Sequence, residues 1–138
     1  MNINPGCNKG KHSLKIKFRE QTKCIDIQII KLDNFKDIIF SKEIMLKIDV
    51  EGFEKEVIQG AVEILNAKQN SIIIAELLNE TNGKVICEEI VELLKKNNFL
   101  SIYKINNSVL AEKVNNYQGS GDYIFLKGSR TVKFFNKF

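Results

Sequence analysis

A chain of 138 residues with 43% hydrophobic and 28% charged side chains has the composition of one globular domain and excludes a disordered or fibrous chain. Its net charge of +4 divides into two basic ends (residues 1–23 and 127–138) around an acidic body (24–126). That split makes no single basic face, so nucleic acid is not an expected partner. A lone histidine, His12, and three scattered cysteines, Cys7, Cys24 and Cys87, exclude a histidine triad, a multi-histidine metal site and a disulfide framework.

Apolar runs such as residues 72–75 are far too short to span a membrane. The opening residues 1–7 lack the basic and then apolar order of a secretory leader. The expected location is cytoplasmic.

In chain order, residues 13–19 alternate strictly, with Leu14, Ile16 and Phe18 against Lys15, Lys17 and Arg19. That period of two predicts a half-buried strand. Residues 24–30 repeat the pattern through Ile25, Ile27 and Ile29, and the four residues between could close a hairpin. From residue 44 the texture changes. Residues 44–50 form a nearly continuous apolar run, the pattern of a strand buried on both faces of a parallel sheet. Glu51 and Gly52 break it, and a helix is expected over 53–67, with Glu54 and Glu56 complementing its dipole. Gly60 inside that helix costs on the order of 1 kcal/mol relative to alanine, which predicts either a close approach or a helix break. A buried strand over 71–77, a helix over 84–97, a strand over 99–105 and a last strand over 122–127 complete the order.

Alternating strands and helices give an α/β class with right-handed crossovers. The expected organisation is a single partial domain over 1–138. It comprises a turn-rich lead (1–12), a hairpin and connector (13–43), an α/β core (44–127) and a basic tail (128–138).

In open α/β sheets the ligand sits beyond the C-terminal ends of the strands. Here those ends carry Asp49, Glu51 and Glu76. Any one of them has an ordinary structural explanation, as a satisfied acid or a helix-start acid. Three at adjacent strand ends suit a general base, a cation site or polar ligand contacts.

The stretch Leu46-Lys47-Ile48-Asp49-Val50-Glu51-Gly52-Phe53, continuing through Val57-Ile58-Gln59-Gly60-Ala61, closely resembles the signature of FkbM-like methyltransferases. In that family a lysine-isoleucine-aspartate-valine-glutamate-glycine strand end leads into a helix with a Val-Leu-x-Gly-Ala run. Leu32-Asp33 resembles the leucine-aspartate pair placed before this strand, and Ile72-Ile73-Ile74-Ala75-Glu76 the strand after it. The resemblance covers about residues 10–127.

It implies the C-terminal half of a Rossmann-like class I methyltransferase sheet, with the last strand antiparallel. It also implies S-adenosylmethionine (SAM) as methyl donor and a hydroxyl acceptor on a sugar, glycan or small metabolite. Under it, Asp49 and Glu51 are candidates for the base or for acceptor contacts, Glu76 is a third, and Lys47 would orient the carboxylates. No cofactor-binding residues are identified. Gly119-Ser120-Gly121 precedes a strand and reads as a turn, and residues 5–12 lack the Ser or Thr of a phosphate loop. The chain is expected to begin between the family's third and fourth strands.

One edge of the strand over 44–50 is then expected to want a partner. The candidates are an upstream-encoded N-terminal half, the basic hairpin, or a second copy in a homodimer. The alternative function is a non-catalytic remnant or interaction module that keeps this half of the fold.

Overall fold

The computed structural model describes residues 27–106 and 110–135, preceded by three two-residue strands. These short strands, β1 (Asn2–Ile3), β2 (His12–Ser13) and β3 (Lys23–Cys24), form an antiparallel sheet in the order β2-β1-β3. Most of the hairpin expected over 13–30 lies outside the described residues. Of its described residues, Ser13 lies in β2 and Cys24 in β3, which pair with β1 and not with each other, and residues 27–30 are not in a strand.

The main sheet has five strands: β4 (Glu43–Ile48), β5 (Asn70–Leu77), β6 (Ser101–Asn106), β7 (Leu110–Val114) and β8 (Gly121–Lys127). Their order is β4-β5-β8-β6-β7. β4 and β5 are parallel, with Ile48 opposite Ala75, and β8 runs antiparallel between β5 and β6. An α/β sheet with an antiparallel last strand is as the sequence predicts, and it is compatible with part of a methyltransferase fold. Strand β7 had no clear sequence signal, because its apolar residues do not alternate cleanly with its charges.

The expected helix over 53–67 is two helices, α1 (Glu54–Gln59) and α2 (Val62–Ala67). The break falls at Gly60, where an added Cβ would come within 3.4 Å of the Glu56 carbonyl oxygen and 3.6 Å of Lys31. The glycine therefore marks a helix break, and what approaches it is the connector, not the sheet. Asp33 staples this corner. Its backbone amide donates to the Gly60 carbonyl at 2.9 Å, and its carboxylate accepts the Glu63 and Ile64 amides at 3.2 and 2.9 Å. An acid distant in sequence thus caps a helix whose own N-cap residue, Ala61, cannot.

Helix α3 (Lys84–Lys96) buries Cys87, Ile90, Val91 and Leu94, a stripe at helical spacing. It ends in a Schellman motif: Asn98 is left-handed (φ 68°), Phe99 N–H donates to Leu94 O, and Asn98 N–H donates to Lys95 O. Helices α1 to α3 cover one face of the sheet, packing on Ile48, Ile73, Ala75, Leu77, Ile102 and Phe125.

The other face holds Tyr103, Ile124 and Leu126, covered in part by Val132 and Phe135 of helix α4 (Ser129–Phe135). This helix lies where the sequence predicts only a basic tail. It is enabled by Gly128 (φ 89°), where a side chain would run into Gln69 and Asn70. Just before it, buried Lys127 donates to the Leu65 carbonyl at 2.8 Å, neutralising the C-terminal end of α2. Burial pushes the Lys127 ammonium pKa down.

Strand β4 is less buried than its composition predicts. Ile44, Leu46 and Ile48 turn toward the helices, but Glu43, Met45 and Lys47 are exposed. These three share the face opposite helices α1 to α3, since successive residues of a strand point to opposite faces. No helix in the described residues is long and apolar enough to cross a membrane.

Candidate active site at the ends of β4 and β5

The chain leaves β4 through a tight turn, residues 49–53. Glu51 takes a left-handed backbone (φ 52°) and Gly52 a more extreme one (φ 96°). For a non-glycine residue that conformation costs roughly 1–2 kcal/mol, so Glu51 is held there by its surroundings. Gly52 has a second constraint, because a Cβ would lie 2.9 Å from the Thr81 carbonyl oxygen. The turn after β4 is therefore pressed against the loop after β5, which joins the two strand ends into one rim.

The turn is clamped from behind by Glu54, which is 1% exposed. Its carboxylate accepts the Val50 amide at 3.2 Å and the Gly52 amide at 3.1 and 3.2 Å. From sequence, Glu54 reads only as a helix-start acid. Its position two residues after a glycine turn is the signal that it could serve the turn instead.

The four residues singled out in the sequence occupy this rim. Lys47 and Asp49, two apart and on the same side of β4, form an ion pair of 2.9 Å. That hydrogen bond and the Asp49 charge raise the Lys47 pKa, with Asp122 and Glu76 adding to the effect. Glu76 is partly buried on β5. Burial and then the charges of Asp49, Asp122, Glu51 and Glu54 push its carboxyl pKa above the usual range. Asp122, which the sequence reading did not single out, lies directly opposite Glu76 in the antiparallel β5–β8 register. Like charges so placed repel. The rim can therefore take up a proton and can offer hydrogen-bond acceptors to a polyhydroxylated molecule. Among the described residues no cluster of side chains suits a metal ion.

Beside the acids, the 115–120 loop packs onto the loop after β5. Tyr117 donates to Asn79 at 2.8 Å, and the Asn79 amide donates to Ser120 at 2.9 Å. Tyr123 is fully buried and donates to the Gly119 carbonyl at 2.8 Å. Burial pushes up the pKa of Tyr117, Tyr123 and Cys87 alike, so these groups stay neutral. A cavity of about 430 Å³ opens elsewhere, between the connector and α1, lined by Ile29, Ile30, Leu32, Phe53 and Val57. Shape and chemistry thus point to different places. The cavity walls are mainly apolar, with Lys31 and Glu56 their charged members, whereas the acids gather at the rim.

The five-stranded mixed sheet with its flanking helices is an α/β domain compatible with part of a methyltransferase fold. The methyltransferase FkbM domain family matches residues 5–101, and the chain belongs to that family. No curated protein and no solved structure matches the chain.

Proposed function

We propose that this chain acts in SAM-dependent O-methylation of a hydroxyl on a sugar, glycan or small metabolite, with the acceptor seated on the carboxylate rim. Family membership supports methyl transfer. The observation that carries the acceptor assignment is Glu76, partly buried and directly opposite Asp122 across β5 and β8, with the Lys47–Asp49 pair on the neighbouring strand end.

SAM, when bound, supplies a methyl group already activated on sulfonium. What remains for the protein is alignment and removal of one proton. The acceptor hydroxyl must give up its proton for that transfer, and the Glu76 carboxylate is the group we assign to receive it. A carboxylate with raised proton affinity is a stronger base than an ordinary one. Asp49, steadied by Lys47, and Glu51 accept hydrogen bonds from neighbouring hydroxyls and set the acceptor's orientation.

Two of the turn glycines offer no cradle for SAM. The space that Gly52 leaves is filled by Thr81, and that of Gly128 by Gln69 and Asn70, so neither glycine lets a cofactor approach the backbone.

The test is incubation with methyl-labelled SAM and a mixture of polyols, monosaccharides and glycans. Label in an alkali-stable product, an ether and not an ester, is expected. No transfer by a folded preparation supplied with its complete cofactor site would overturn the reading in favour of a non-catalytic interaction module.

A further inference from the structure

The pairing of Glu76 with Asp122 weakens the sheet, and no contact of Asp122 offsets it. Glu76 stands opposite Asp122, and Ile48 opposite Ala75, so Asp49 follows beside Glu76. Alternation puts Glu76 on the face of Ile72 and Ile74, and Asp122 on that of Ile124. Three carboxylates therefore form one row across the ends of β4, β5 and β8, with Glu76 in the middle. Beyond Asp122 the row reaches Ile105, one step past the Lys104–Tyr123 pair. Asp49 has Lys47 at 2.9 Å. Asp122 has no ion pair or side-chain hydrogen bond among the described residues, and its cross-strand neighbours are an acid and an isoleucine. Directly opposed like charges destabilise a sheet, and a local rule broken without compensation points to function. We propose that Asp122 is a positioning residue for the proton transfer: its negative charge, set directly across from Glu76, holds the proton that the Glu76 carboxylate receives.

The inference rests on the assignment of Glu76 as the base. The other charged groups that face Glu76 among the described residues are Lys47 and Asp49 from β4 and its end, Glu51 from the turn, and Glu54 from the start of α1. Asp49 acts on Glu76 at least as strongly as Asp122 does, but the charge of Lys47 accompanies it. Glu54 is tied to the turn amides. Asp122 differs in having Glu76 as its direct cross-strand partner. The side chains of such a pair start about 5 Å apart. At that spacing a unit charge near water shifts a carboxyl titration by about half to one pH unit, a roughly three- to tenfold change in proton affinity. Burial of Glu76 acts in the same direction.

The experiment follows the Glu76 carboxyl by carbon-13 NMR through a pH titration of the full chain, its resonance identified by its loss in Glu76→Gln. Asp122→Asn should lower the Glu76 midpoint by about half to one unit. Asp122→Glu, which keeps the charge, should leave it near the wild-type value. In the complete, active assembly the acid limb of methyl transfer should move down with the midpoint in Asp122→Asn. Above that limb the rate should fall about two- to threefold, as a weaker base requires, so the two pH profiles cross. A merely structural role would lower the rate at every pH alike. A midpoint unmoved by Asp122→Asn overturns the proposal and leaves Glu76 standing as the base. So does a midpoint that Asp122→Glu moves as far, or one that moves while the acid limb stays in place. A Glu76→Gln variant with the wild-type rate overturns the base assignment itself, whatever the midpoint does.

Discussion

Glu54 reaches back over the turn that precedes it and holds the Gly52 amide with both carboxylate oxygens, at 3.1 and 3.2 Å. The same carboxylate takes the Val50 amide. One buried acid therefore fixes the backbone on both sides of Glu51 and, through it, the spacing between the ends of β4 and β5.

Removing that acid leaves two part-buried amides without their acceptor, each worth roughly 1.5–3 kcal/mol when the partner is charged. Glu54→Ala is expected to destabilise the chain by about 3 kcal/mol in urea unfolding, and Glu54→Gln, which keeps one acceptor oxygen, by about half as much. A loss below about 1 kcal/mol for the alanine variant would mean the turn holds itself.

Asp33 is the second distant clamp, capping α2 from the connector. Asp33→Ala should cost about 1 kcal/mol, the usual worth of an N-cap, and Asp33→Asn much less. Thermal unfolding measures both. Equal losses in the two variants would locate the effect in the charge and not in the cap.

Glu76 makes a prediction about pH. Its folded-state pKa is raised above the ordinary 4.5 by burial first and by Asp49, Asp122, Glu51 and Glu54 after that. The stability that goes with protonated Glu76 is fully present below pH 4.5 and is lost as pH rises through the higher folded value. Glu76→Gln stays neutral throughout. It should match the wild type at low pH and exceed it in melting temperature at pH 7, with Asp122→Asn giving a smaller gain in the same direction. A Glu76→Gln variant less stable than the wild type at pH 7 would contradict the assigned environment.

Much of this was legible in the sequence because the signals were local. The period-two and apolar runs placed β4, β5 and β8 within about two residues, and Gly60 announced the break between α1 and α2. The pattern also puts Asp49 and Glu51 just after β4 and Glu76 near the end of β5. The illegible part was non-local. That Asp122 faces Glu76 requires knowing that β8 inserts between β5 and β6, and nothing in the neighbourhood of either residue encodes that. Asp33 reads as part of a family pair, yet its partners on α2 lie about 30 residues away. The exposure of Met45 is likewise a property of how its face of the sheet is covered among the described residues, not of the strand's own composition.

The central claim is that the rim beyond β4 and β5 is where the acceptor loses its proton. The most direct measurement is the rate of labelled methyl transfer from SAM by the complete, active assembly, compared among wild type, Glu76→Gln and Asp49→Asn. Loss of a general base typically costs about 10²–10⁴-fold. Glu76→Gln is expected to fall in that range, and Asp49→Asn to lose less in rate and more in acceptor affinity. Rates equal to the wild type in both folded variants would contradict the account.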